Sequence, residues 1–143
     1  MMSVRVLDVY EVKKYEEEIS SLLDKLEEYM IPWTSLDSLK RNVMRMKYKV
    51  YGAFENRELI GLALTSVIDY GKHKCLDWSH VCGDKMHEWF PMFYERFEEE
   101  RKAKKCRYIS GEGRLGLGRV AQRVYPNVSL LTGKFYADVG SYS

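Results

Sequence analysis

Apolar and polar residues alternate over residues 3–9 (SVRVLDV), the period of a strand with one buried face. The period then changes. Val12, Tyr15, Ile19, Leu22, Leu23, Leu26 and Met30 recur at steps of three and four, which predicts an amphipathic helix stopped by Pro32. Ser35 stands where it would cap a second helix, with the stripe Leu36, Leu39, Val43 and Met46. Two strand-like runs, YKVYGAFE (48–55) and ELIGLALTSVIDY (58–70), flank Asn56-Arg57, a hairpin turn, and HKCLDWSHV (73–81) makes a further strand. Gly83-Asp84 opens the longest helix. Met86, Phe90, Phe93 and Phe97 line one face, widened by Trp89 and Tyr94, and Glu95, Glu98 and Glu99 lie opposite. Pro91 lacks an N–H, so this helix starts near it or bends there. CRYISGE (106–112) reads as a strand, GLGRVAQRVY (116–125) as a short helix and SLLTGKFYADV (129–139) as a last strand. The expected class is α/β (α+β mixed), a mixed sheet in the order β-α-α-β-β-β-α-β-α-β, in one domain over 1–143.

Composition narrows this picture. With 143 residues, 45% of them hydrophobic, the chain suffices for one core. The longest uncharged apolar run (59–68) is half a membrane span, and the first ten residues hold no apolar signal region. No membrane contact is expected, and a cytoplasmic location is. Cys75, Cys82 and Cys106 form no C-x-x-C pair, which suits a reducing compartment. His73/Cys75 and His80/Cys82 repeat His-x-Cys, but neither spacing nor strand parity suits zinc, so no metal is expected. Charge is uneven: residues 1–100 carry 14 basic and 19 acidic side chains, residues 101–143 carry 9 and 2. Residues 101–105 read as a solvated helix end. Arg107, Arg114, Arg119 and Arg123 are candidates for an interaction edge toward another protein subunit, with nucleic acid the weaker alternative.

Gly111, Gly113 and Gly116 fit G-x-G-x-x-G, yet a dinucleotide fold needs further βα units downstream of that loop. These glycines, with Gly118, are expected to serve tight turns and close backbone approach. The order of elements resembles the GNAT superfamily of N-acetyltransferases. Residues 82–126 further resemble a group of tailed-bacteriophage GNAT-like proteins, through Trp89-Phe90-Pro91, Lys105-Cys106 and Gly113-Arg114-Leu115-Gly116-Leu117-Gly118-Arg119. The chain departs from that pattern at Lys105, in place of a glycine, and at Leu117, in place of a tryptophan.

The resemblance implies a pyrophosphate site on backbone N–H groups where a strand meets the long helix, in a loop of the form Gln/Arg-x-x-Gly-x-Gly/Ala. The matching stretch supplies Val81, Cys82, Gly83, Asp84 and Lys85. Its single glycine and the Asp84 carboxylate weaken it, since a carboxylate repels phosphate and competes for the same donors. The resemblance also implies a tyrosine acid and a carboxylate base, for which Tyr125 and Asp77 are the candidates. The leading expectation is a catalytically degenerate GNAT-fold protein without cofactor, working through protein contacts in an oligomer or as a virion or head–tail component. Its 13% aromatic content suits interfaces. The alternative is an acetyl-CoA-dependent N-acetyltransferase with a divergent loop.

Overall fold

The computed structural model describes residues 1–27, 35–112, 129–131 and 134–138. Its elements are β1 (Met2–Leu7), α1 (Val9–Lys14), α2 (Glu16–Asp24), α3 (Leu36–Met44), β2 (Lys49–Glu55), β3 (Glu58–Asp69), β4 (Lys74–Gly83), α4 (Met86–Ala103), β5 (Tyr108–Glu112), β6 (Ser129–Leu131) and β7 (Lys134–Asp138). The strands hydrogen-bond in the order β1-β2-β3-β4-β5-β7-β6. β4 and β5 run parallel, as a crossover through a helix requires, and β5–β7 and β7–β6 are antiparallel. This is the mixed α+β order expected from the sequence, with two differences in detail.

The first helix is divided. Asp8, expected inside the first strand, accepts from the Glu11 N–H at 2.8 Å and caps α1. Tyr15 then leaves helical geometry (φ −100°, ψ 21°) and places its ring edge-on to Phe54 at 5.5 Å. The last strand is also divided: Leu131 pairs with Lys134 and Ser129 with Tyr136, so the segment folds back on itself as a hairpin. The short helix expected over 116–125 lies outside the described residues.

By backbone contacts the chain divides into two units, residues 1–64 with 81–93 and residues 65–80 with 94–143. In the first, Val12, Ile19, Leu23 and Val43 of the helices pack with Val50, Phe54 and Leu62 of the strands in one buried cluster. Phe93 of α4 tilts against Tyr51 at 4.7 Å and lies beside Phe90 and Trp89. Asn56 and Arg57 both have positive φ (51° and 73°), the mirror-image turn that suits a twisted hairpin.

In the second unit Phe97 stacks on Trp78 at 4.6 Å, and both are buried. α4 runs through Pro91 without a break. Pro91 has no N–H to offer the His87 carbonyl, and both residues are exposed. The charged helix end is not wholly solvated as expected. Arg101 is buried, donates to the Cys106 carbonyl at 3.2 Å and pairs with Glu98 at 3.0 Å. Buried Glu100 accepts from Thr65 Oγ1 at 2.8 Å. Lys102, Lys104 and Lys105 face solvent. The Arg101 fork bonds a carboxylate and a backbone carbonyl at once, which a lysine point charge does not match in geometry.

Candidate functional site

The turn from β4 into α4 is fixed from several sides. Gly83 has φ +133°, and a Cβ there would come within 2.4 Å of Gly61 Cα and of the Ile60 carbonyl oxygen. Only glycine fits, by conformation and by space. The Asp84 N–H donates to the Ile60 carbonyl at 2.9 Å, while the Asp84 carbonyl accepts from the Trp89 indole at 2.8 Å. The fully buried Trp89 ring in turn occupies the space a Cβ on Gly61 would need. Val81 and Cys82, the preceding candidates, are buried at the end of β4.

Both charges of the turn find partners inside the protein. The Asp84 carboxylate, expected to compete for the helix donors, accepts from Lys25 Nζ at 2.8 Å. Lys85, at φ +55°, donates to both oxygens of Glu55 at 2.9 and 2.8 Å, and this bond pushes its pKa up. The Glu88 N–H donates to the Lys85 carbonyl at 2.9 Å, closing the first turn of the helix. The N–H groups of Lys85, Met86 and His87 precede any intrahelical acceptor. They head an 18-residue helix, where backbone donors and the helix dipole together favour an anion.

Asp77 sits on β4 opposite Ser110 of β5. It is half-buried and accepts from Ser110 Oγ at 2.8 Å and from Ser79 Oγ at 3.0 Å. Ser79 meets Ser66 at 3.1 Å, and the Cys75 thiol reaches Ser110 at 3.1 Å. Among the described residues the β4–β5 pairing ends at Trp78↔Gly111. Beyond it Ser79 and His80 are both half-buried, and Val81 and Cys82 both buried. Gly111 is an ordinary strand residue, paired to Trp78 on one side and Phe135 on the other. The other glycines of that motif lie outside the described residues, as do Tyr125, Arg114, Arg119 and Arg123. Arg107 lies over the Tyr108 ring at 5.6 Å, and its N–H donates to the Lys74 carbonyl.

Cys75 donates to a serine, and Cys82 belongs to the apolar cluster around α1–α3. Among the described residues no three His, Cys, Asp or Glu side chains gather as metal ligands. An open cavity of about 370 Å³ is lined by Glu17, Glu18, Ser21, Leu22 and Lys25 of α2 and its end, and by Leu59. The sequence pointed to the turn but not to Lys25, Glu55, Gly61 or Trp89 as its supports. Gly61 inside a strand was a signal of close backbone approach. The ion pairs, 59 and 30 residues apart, have no local signature.

Solved structures share this architecture. A putative acetyltransferase of the GNAT family from Desulfovibrio desulfuricans superposes with TM-score 0.69 at 12% identity, over 98% of this chain and 100% of that one. The chain has the GNAT fold. PaiA N-acetyltransferase from Thermoplasma acidophilum, in complex with coenzyme A, gives TM-score 0.64 at 11% identity over 96% and 99%. Spermidine N-acetyltransferase from Vibrio cholerae, in complex with CoA and spermine, gives 0.61 at 13% over 99% and 97%. These identities carry the GNAT fold and not the chemistry, which rests on the site. No protein-family model and no curated protein sequence matches the chain. No helix among the described residues is long and apolar enough to cross a membrane.

Proposed function

We propose that this protein is an acetyl-CoA-dependent N-acetyltransferase. The observation that carries the reading is the β4–α4 turn, in which the two side-chain charges are engaged by Lys25 and Glu55 and backbone N–H groups head a long helix. That donor set fits a pyrophosphate, which needs amides and a positive helix end more than it needs a glycine-rich sequence. The Thermoplasma and Vibrio structures of the same fold hold CoA. None of the likenesses named above speaks for a virion or head–tail role, so the enzyme reading takes precedence over the degenerate one.

In this reading Gly83 lets the backbone approach the cofactor, and Lys85, Met86 and His87 donate to its phosphates. Acetyl-CoA bound there would supply an acetyl group to an amine, the thioester C–S bond breaking as the amide C–N bond forms. Asp77 is the proposed base, and Tyr125 the proposed acid for the departing thiolate. Calorimetric titration with acetyl-CoA tests the reading. A saturable heat at micromolar concentration is expected, and no heat at millimolar ligand would overturn it.

A further inference from the structure

We infer that Lys25 is a positioning residue for the cofactor, acting through Asp84: it holds the Asp84 carboxylate away from the donors at the head of α4. The inference rests on the acetyl-CoA reading and concerns two residues no nearer than 59 positions in sequence.

Asp84 has little freedom. Its N–H is held by the Ile60 carbonyl and its own carbonyl by the Trp89 indole, and Gly83 before it is packed against Gly61 without clearance. Its Cα therefore stays beside the helix end, and only the side-chain torsions decide where the carboxylate points. Turned toward the helix, it would take the N–H groups a phosphate needs and place a like charge beside that phosphate. Turned away, it leaves them open. Lys25 provides the second position: its root follows the last turn of α2, anchored by buried Leu22 and Leu23, and its ammonium meets Asp84 Oδ1 at 2.8 Å. Lys85 cannot substitute, because both oxygens of Glu55 hold its ammonium. Both partners of the Lys25–Asp84 pair are substantially exposed, so replacing either leaves the fold intact.

A double-mutant cycle decides the matter, with acetyl-CoA affinity measured by calorimetry and thermal melting as the check on folding. Lys25→Ala is expected to weaken binding about tenfold, and Lys25→Arg to restore it. Asp84→Ala, which removes the acceptor oxygens along with the charge, should bind at least as tightly as the unaltered protein. In the Asp84→Ala background, Lys25→Ala should then cost less than twofold. A loss of equal size in both backgrounds would overturn the inference and make Lys25 a direct phosphate ligand, leaving the acetyl-CoA reading intact. An unchanged affinity in Lys25→Ala would overturn it too. Absence of binding in all four proteins would remove the reading and the inference together.

Discussion

At the scale of single residues, the environment of Cys75 sets a pH dependence. Burial pushes its thiol from the ordinary 9.0 up to about 11; the Ser110 hydrogen bond draws it partly back, and the Asp77 charge adds to the rise. Below pH 9 the thiol is protonated in folded and unfolded chains alike, and its contribution to stability is fully present. Between pH 9 and 11 the unfolded chain ionises first, so stability falls as pH rises, and the loss levels off above the folded value. Urea unfolding from pH 8 to 11 should show a steeper decline for the unaltered protein than for Cys75→Ala; parallel curves would refute the assignment. Reading single residues from sequence succeeded where geometry is local. Ser35 caps α3 by accepting from the Ser38 N–H at 3.2 Å, and Asn56-Arg57 turns the hairpin. For Asp84 the residue type announced a competitor for anion donors, and its ion-pair partner Lys25, 59 residues away at the end of α2, left no local signal.

At the scale of elements, helix ends account for most of the differences between pattern and structure. A hydrophobic stripe continues across Tyr15 because both α1 and α2 face the same cluster, so period alone could not show the break between them. The end of α4 is more informative. The Cys106 N–H bonds to the Arg101 carbonyl at 2.9 Å and the Lys105 N–H to the Lys102 carbonyl at 3.2 Å, with Lys105 at φ +56°. This is a left-handed helix cap, the position that most favours glycine. Lys105 thus holds a conformation that favours glycine. Lys105 is exposed, so its side chain has little packing to lose. Lys105→Gly should therefore stabilise the protein by about 1 kcal/mol, the relief of a left-handed residue less the added entropy of the unfolded chain. An unchanged or lower midpoint in chemical denaturation would show that the lysine makes a compensating contact.

At the scale of the whole molecule, the order of elements was legible because strands and helices alternate with clear periods, and it is this order that the GNAT-fold structures share. Function was less legible, since a fold hosts many activities and the decisive contacts at the turn are long-range. Ligand binding links the two questions, because a ligand that binds only the folded chain raises its stability by mass action. Acetyl-CoA at one hundred times its dissociation constant should add about 2.7 kcal/mol. For a chain of this size that corresponds to a rise in Tm of about 5–10 °C. The rise alone would not locate the ligand. Hydrogen exchange supplies the location: with acetyl-CoA present, the amides of Lys85, Met86 and His87 should slow before the global unfolding rate changes, as donors newly bonded to phosphate would. Raising the salt concentration should shrink both effects, because the attraction at an exposed helix end is screened. A higher Tm with those three amides unprotected would place the ligand elsewhere and leave the β4–α4 turn as architecture alone.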